Sequence, residues 1–298
     1  MCGQGHRGAQ QFCDRSGVGP GHHEQKHRIF PSEGNIITEP FYASLFNLLE
    51  RDFQSNGCSL IYTTLDESDS IADKIVALGI SGIVFVSNVA QKHMEYAVSH
   101  KIPAVLVNSV SDQLPSILSD NRRGAYLAGR YLIEQGHTDV ALLAGIRSYV
   151  SNQARMAGVL QAFREEGIEI PANRILESDS WLYGAAESIC YDYFSTHRDD
   201  HPTALFAFND RLATGAINAI KKVGLSVPED VSVIGYDNLG YYNLVSPRIT
   251  SIETHIEAIA ESTVMHMLWQ LGSGNCLPVK VLTPVEVAHG DTVRDLRS

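Results

Sequence analysis

Two hydrophobic periods alternate along most of the chain: short apolar runs typical of buried β-strands, and stretches in which apolar residues recur at helical spacing. The clearest unit contains, in order, the apolar run 204–208, the polar pair Asn209-Asp210, a helical pattern to Val223, the apolar run 231–235 and Asp237. Two strands joined by a helix in this way run parallel. We therefore predict a β-strand–helix–β-strand unit in which Asn209 and Asp237 follow the carboxyl ends of adjacent parallel strands.

The same two patterns predict elements over the rest of the chain. The predicted strands outside this unit are 28–30, 59–63, 82–86, 104–107, 140–144, 174–177 and 279–283. The predicted helices outside it are 41–53, 71–78, 94–99, 122–135, 155–166, 184–196 and 256–271. Alternating strands and helices indicate the α/β class, with parallel sheets covered by helices on both faces. Because there are too many strands for one sheet of this length, we predict two doubly wound parallel-sheet lobes with a hinged ligand cleft.

Polar breaks near Gly145, Ile252 and Pro278 provide places where the chain can cross between the lobes. The expected division is an N-terminal lobe of residues 29–145 plus 253–278 and a C-terminal lobe of residues 146–252 plus 279–298. Residues 1–28 are rich in Gly, His and Gln and lack apolar periodicity. We expect this segment to be disordered or aberrant.

Composition and charge narrow the class of protein. The 298 residues are 44% hydrophobic and 19% charged, as in a globular protein, and the formal net charge is −11. Lys and Arg are scattered rather than clustered, which argues against a nucleic-acid-binding surface, and no apolar run approaches the ~20 residues of a membrane span. The five cysteines lack C-x-x-C spacing, which fits the reducing cytoplasm. The Cys and His residues near the start match no zinc module, so we predict no metal site and no cofactor.

Several short motifs occur in an order typical of one family. They are Ile133–His137 before the apolar run Val140–Gly145, Ala154-Arg155 with Gly158, Asn209-Asp210 with Ala213 and Gly215, Gly224-Leu225 before Val227–Gly235, and Pro247 with Thr250–Ile252. Together they resemble the effector-binding core of the lactose/galactose-repressor (LacI/GalR) family of bacterial transcription regulators, which is similar to periplasmic sugar-binding proteins. The resemblance covers about residues 29–293.

The resemblance implies a small-molecule sensor in the cytoplasm. Its effector would be a sugar, sugar acid or sugar phosphate, with a nucleobase less expected, and binding would close the cleft and change the spacing of DNA-binding heads. Because operator half-sites are related by two-fold symmetry, we expect a homodimer. The alternative is a free-standing solute-binding protein of the periplasmic type, which requires a signal peptide, and no such pattern opens this sequence.

The family's helix-turn-helix and hinge helix have no counterpart before Ile29. We therefore expect operator DNA to be a partner only if a headpiece is present in the intact protein. One hypothesis is that Met1 to about Arg28 is read out of frame, because a one-base shift lets the codons of Gln10–Cys13 encode Asn-Asn-Phe-Val, which resembles the family's linker. Sequencing the gene upstream tests this hypothesis, and a gene with no headpiece in the alternate frame would exclude it.

Polar residues are the first class of ligand-binding candidate. Asn209 and Asp237 lie where open α/β sheets bind ligands, and an amide beside a carboxylate suits a hydroxyl-rich molecule; alternatively, both only cap the elements that follow. Arg155 offers five fixed donors at the start of a predicted helix, where the helix dipole disfavours a cation and makes a purely structural role less expected. The alternative for Arg155 is a surface salt bridge. Together with Arg155, Arg122 and Arg123 would favour an acidic or phosphorylated sugar.

Aromatic residues are the second class of candidate. In the family an aromatic pair follows a proline in the first cleft loop, and here Phe41 and Tyr42 follow Pro40. Their faces would stack on a sugar ring, or they form the core face of the first helix. Trp181, in a polar loop after a strand, would wall the cleft or simply pack. The candidate cleft or hinge residues are Glu39, Asn108, Asp120, Asn121 and Arg123. The alternative for Asp120 is an N-cap of the helix that follows it.

We predict no enzymatic activity. The chain has no phosphate loop of the form G-x-x-x-x-G-K-[ST] and no G-x-S-x-G nucleophile elbow. Asp210 and Asp237 could be interpreted as a glycosidase carboxylate pair, but both lie in motifs that the binding of sugar hydroxyls explains better.

Overall fold

A computed structural model describes residues 26–31, 39–65, 67–240 and 246–297. The strands are, in chain order, β1 (Lys26–Pro31), β2 (Ser59–Tyr62), β3 (Ile80–Val86), β4 (Ala104–Val107), β5 (Ser116–Ser119), β6 (Val140–Ala144), β7 (Ile175–Glu177), β8 (Ala204–Ala207), β9 (Ser232–Ile234), β10 (Ser251–Glu253), β11 (Lys280–Thr283) and β12 (Glu286–Ala288). The helices are α1 (Pro40–Ser55), α2 (Ile71–Leu78), α3 (Gln91–Ser99), α4 (Asn121–Glu134), α5 (Val150–Glu165), α6 (Tyr183–Thr196), α7 (Asp210–Lys222) and α8 (Ile256–Ser273). None of these helices is long and apolar enough to cross a membrane.

The first of two compact units consists of Met1–Ser119 and His255–Thr283. Its sheet has the order β11-β5-β4-β3-β1-β2, and its strands are paired in parallel. Side chains alternate between the two faces of β3. Val84 and Val86 pack with residues of α1 and α8, whereas Ile83 and Phe85 pack with residues of α2 and α3. The first unit is therefore a doubly wound sheet with helices on both faces, as predicted.

The second unit consists of Asp120–Thr254 and Pro284–Ser298. Its parallel sheet has the order β7-β6-β8-β9, and a separate antiparallel pair joins β10 to β12. The predicted β-strand–helix–β-strand unit is confirmed, since β8 and β9 pair in parallel and α7 connects them. Phe163, Phe206 and Tyr236 are completely buried in the core of this unit.

The two units differ from the two lobes expected from the sequence. The pairing of strands, and not the polar breaks along the chain, decides which unit each strand belongs to. The strand β6 was expected in the N-terminal lobe, but it pairs with β7 and β8 in the second unit. Conversely, β11 was expected in the C-terminal lobe, but it pairs with β5 in the first unit. Residues 1–25 of the expected disordered segment lie outside the described residues, whereas residues 26–28 begin β1.

Three strands were missed, and helices α3 and α5 begin three and five residues earlier than predicted. The strands β5, β10 and β12 have only three or four residues each and lack a long apolar run. Helix α5 begins at Val150 instead of Arg155, because the polar residues of its first turns conceal the helical period. Arg155 therefore lies in the second turn, and the dipole argument used to select it does not hold.

Helices α4 and α5 approach each other closely through a glycine. A Cβ atom added to Gly158 would lie 3.0 Å from the carbonyl carbon of Arg122 and closer still to its oxygen. Because those atoms belong to the backbone of α4, a side chain at Gly158 would push the two helices apart. Gly184 in α6 provides a contrast, since a Cβ atom there would meet nothing within 4 Å.

We expect Gly158→Ala to lower the free energy of unfolding of the second unit by about 1–3 kcal/mol, which is typical of overpacking. The matched control, Gly184→Ala, should be neutral or slightly stabilising, since alanine is the better helix former. Urea unfolding followed by circular dichroism measures both. Equal stabilities for the two variants would show that the helices do not depend on this close approach.

Candidate functional site

Asn209 and Asp237 follow the carboxyl ends of β8 and β9, which are neighbouring strands. The Asn209 Oδ1 atom accepts a hydrogen bond from the Leu212 N–H at 2.7 Å, so the predicted capping role is real. Its Nδ2 group makes no hydrogen bond within the described residues, which leaves two amide hydrogens for a ligand. Both residues are more than nine-tenths buried, with Asn209 7% and Asp237 9% exposed.

Asp237 has an unusual backbone conformation. Its φ of 98° lies in a region that non-glycine residues rarely adopt. The backbone N–H of Asp237 donates to the carbonyl of Ile252 at 2.9 Å, which fixes the loop after β9 against β10. The surrounding structure thus holds Asp237 in a costly conformation that directs its carboxylate toward Arg155.

Arg155 lies at the centre of the site and is only 7% exposed. Its Nε donates to Asn121 Oδ1 at 2.8 Å, one terminal nitrogen donates to the Phe208 carbonyl, and the other donates to Asp237 Oδ1 at 3.3 Å. The guanidinium carbon lies 3.6 Å from the centre of the Tyr236 ring, a cation–π arrangement. The predicted alternative of a surface salt bridge is therefore wrong, because the ion pair with Asp237 is buried.

The start of α4 supports Arg155 through Asn121. The Asp120 side chain caps this helix, because its Oδ1 accepts the Arg123 N–H at 3.0 Å. Asn121, the first residue of α4, is 5% exposed and presents its amide oxygen to Arg155. Asp120 thus acts as a cap, one of the two roles weighed from the sequence, and Asn121 holds the arginine.

Arg122 and Arg123 do not join this site. Both side chains are exposed. Arg122 donates to Gln161 at 2.8 Å, and Arg123 lies over the ring of Tyr126 at 5.2 Å. The cationic cluster that the sequence suggested is therefore absent from the part of the chain that the structure describes, and Arg155 contributes its charge without them.

Trp181 follows β7 and packs beside the end of β6. A Cβ atom added to Gly145 would lie 2.7 Å from the Trp181 Cδ2 atom, and the indole ring lies 6.0 Å from that of Tyr149. The indole Nε1 is buried and has no hydrogen-bond partner among the described residues. Buried N–H groups nearly always have a partner, so the unsatisfied indole N–H sets Trp181 apart from a residue that only packs.

Asp210 has a role that the sequence did not reveal. It is 2% exposed, its Oδ1 accepts from the Ser251 hydroxyl at 2.6 Å, and its Oδ2 accepts from the Leu239 N–H at 3.2 Å. Burial, and then the Asp237 carboxylate, raise the pKa of Asp210 well above its ordinary value. Oδ2 holds the loop after β9 through Leu239, and Oδ1 holds Ser251 of β10. Asp210 therefore supports the loop that carries Asp237, and both of its oxygens are engaged within the protein.

The candidates of the first unit lie at the carboxyl ends of its strands or at the start of α1. The rings of Phe41 and Tyr42 form an edge-to-face pair with centres 5.2 Å apart, and both pack partly against the core, as their alternative interpretation predicted. Glu39 occupies the N-cap position of α1. Asn108 follows β4 with a φ of 54°, and Ser87, which sequence reasoning missed, follows the neighbouring β3 with a φ of 66°.

Comparison with known proteins identifies relatives over most of the chain. Residues 130–293 match the family model of the periplasmic binding protein-like domain. The HTH-type transcriptional repressor PurR of Actinobacillus pleuropneumoniae serotype 3 (strain JL03) is 32% identical over 231 residues, which are 74% of this chain and 68% of that protein.

Solved structures share the fold. A complex of the transcriptional regulator CelR with cellobiose has a TM-score of 0.81 at 20% identity, covering 90% of this chain and 85% of that one. A LacI family transcriptional regulator from Enterococcus faecium with bound ribose also has a TM-score of 0.81, at 22% identity, covering 91% of this chain and 100% of that one.

The raised pKa of Asp210 predicts a particular dependence of stability on pH. Above about pH 4 the Asp210 carboxyl loses its proton in the unfolded state but keeps it in the folded state. Because the folded state then binds more protons, the free energy of unfolding falls as the pH rises toward the pKa of the folded state. Asp210→Asn keeps an acceptor oxygen for Ser251 but cannot ionise, so it should flatten this decline. Urea unfolding at a series of pH values measures the difference, with exposed Asp179→Asn as control. An unchanged slope in Asp210→Asn would refute this role for the carboxyl.

Proposed function

The chain belongs to the LacI/GalR family of bacterial transcription regulators, of which it forms the effector-binding core, and we propose that it binds a sugar-like effector at the carboxyl edge of the second unit's sheet. The observation that supports this proposal most directly is the cluster of Arg155, Asp237 and Asn209 at the ends of β8 and β9. Open α/β sheets bind ligands at this edge.

The donors and acceptors of the cluster suit hydroxyl groups. Arg155 uses three of its five N–H donors within the protein, which leaves two for a ligand. Asp237 offers carboxylate lone pairs, and Asn209 offers two amide hydrogens. A sugar hydroxyl both donates and accepts, so adjacent hydroxyls can satisfy the arginine and the carboxylate together.

The aromatic candidates complete the proposal. Trp181 would present its indole N–H or its ring edge to the effector, and Phe41 and Tyr42 would stack on the apolar face of a sugar ring. Glu39 and Asn108 remain proposed cleft or hinge residues. The bound cellobiose and ribose in the two similar regulators support a carbohydrate as the class of ligand.

We further propose that effector occupancy modulates binding to operator DNA when a headpiece is present, that the protein acts in the cytoplasm as a homodimer, and that it does not turn over its ligand. The named relative is a transcriptional repressor, which favours this function over that of a free-standing solute-binding protein. The internal bracing of Asp210 also argues against a glycosidase-type carboxylate pair.

A thermal-shift screen tests ligand binding directly. The panel contains neutral sugars, sugar acids, sugar phosphates, nucleosides and purines, because a ligand that binds only the folded state raises Tm by mass action. We expect a saturable shift with a carbohydrate. Arg155→Lys keeps the charge beside Asp237 but loses the planar fork of donors, and should weaken binding about tenfold or more. Arg164→Lys, an exposed position on the same helix, is the matched control and should bind normally. Normal affinity in Arg155→Lys would contradict the proposed site.

Sedimentation equilibrium tests the proposed dimer. Because a C2 arrangement matches the two-fold symmetry of operator half-sites, we expect a mass of twice the chain at micromolar concentration, with or without effector. A monomer that persists at all concentrations would contradict the homodimer.

A further inference from the structure

The buried charges at the carboxyl edge of the second unit compensate each other. Arg155 is the buried cation of this edge, and Asp237 pairs with it at 3.3 Å. The amide oxygen of Asn121 and the carbonyl oxygen of Phe208 each accept a hydrogen bond from the guanidinium, and neither adds a charge. The charges of Arg155 and Asp237 therefore cancel, and Asp210, whose pKa is raised by burial and by the Asp237 carboxylate, adds no charge while it keeps its proton.

Other arginines near the second unit's strand ends are not held ready for an anion. Arg211, in the first turn of α7, is half-buried and already interacts within the protein. Arg147 follows β6, but its side chain is 85% exposed and lies 3.9 Å from Glu177. Arg122 and Arg123 are engaged with Gln161 and Tyr126 on the exposed side of α4. A solvent-exposed cation of this kind contributes little to binding.

The helix starts at this edge are weak substitutes for a cation. The first turn of α7 is capped by Asn209, and that of α4 is capped by Asp120. The starts of α5 and α6 have no side-chain cap, but an uncapped helix start carries only about half a positive charge. A phosphate or carboxylate that bound here would lose its hydration and would gain only the partial positive charges of helix N-termini.

We propose that the effector is an uncharged polyhydroxylated molecule and that the site discriminates against sugar acids and sugar phosphates. This inference rests on the proposed function and narrows it. An anion next to a compensated Arg155–Asp237 pair would be desolvated without a partner charge, which is strongly unfavourable. Uncharged hydroxyls avoid this penalty and can still use the donors of Arg155. This proposal replaces the expectation from the sequence that the effector is an acidic or phosphorylated sugar.

The test compares sugars that share a ring and differ in charge. Glucose, glucuronate and glucose 6-phosphate form one set, galactose and galacturonate a second, and ribose and ribose 5-phosphate a third. Thermal shift ranks them, and titration calorimetry gives Kd for those that bind. We expect the uncharged member of the preferred set to bind at least about tenfold more tightly than its charged analogues.

Asp237→Asn tests whether the buried pair sets this preference. The substitution leaves Arg155 buried without its counter-ion, so a carboxylate on the ligand would now supply the missing charge. We expect the ratio of the Kd of the sugar acid to that of the neutral sugar to fall by about tenfold or more relative to the unsubstituted protein. Arg147→Ala is the control and should leave the ratio unchanged.

Each outcome is decisive. Tighter binding of a sugar acid or phosphate by the unsubstituted protein would overturn the inference while upholding the proposed function. The same conclusion would follow if Arg147→Ala changed the preference and Asp237→Asn did not. If neither these sets nor the wider thermal-shift panel contains a compound that stabilises the folded protein, the proposed function itself fails and the inference fails with it. A neutral preference that Asp237→Asn weakens supports both.

Discussion

The carboxyl edge of the second unit's sheet depends on one buried guanidinium. A charged group with 7% exposure is tolerated only where hydrogen bonds and an opposite charge replace its hydration. Arg155 obtains these from three separate elements: Asn121 at the start of α4, Phe208 after β8 and Asp237 after β9. The requirement to solvate one cation therefore fixes the relative positions of a helix and two strand ends at the edge where a ligand would bind.

Small residues make that arrangement sterically possible. A Cβ atom at Gly124 would lie 2.9 Å from the Tyr236 Cε2 atom, so only glycine lets this ring lie between α4 and the guanidinium. Gly158 similarly lets α5 approach the backbone of α4. Behind them, Asp210 holds the loop that carries Asp237. The positions of the polar groups in the site thus depend on the packing of residues directly behind them.

The sequence pattern predicted those features of the structure that neighbouring residues determine. The β8–α7–β9 unit and the positions of Asn209 and Asp237 after neighbouring strands could be predicted, because apolar runs and polar strand ends are features of neighbouring residues. Contacts between distant residues were not readable. Asp210 binds Ser251, which is 41 positions away, and β6 and β11 were assigned to the wrong units because their pairing partners are equally nonlocal.

Backbone strain marks the same edge in both units. Ser87 and Asn108 follow adjacent strands of the first sheet with positive φ, and Asp237 and Asn238 do so after β9 in the second. Non-glycine residues keep such conformations only when neighbouring hydrogen bonds enforce them, and such strain is concentrated at sites that bind ligands. In the second unit those hydrogen bonds belong to the compensated pair and its supports. A ligand there would use the two remaining donors of Arg155 and the amide hydrogens of Asn209, without a net charge to attract it. Selectivity at this edge would then come from matching the directions of donors and acceptors that the fold has fixed in advance.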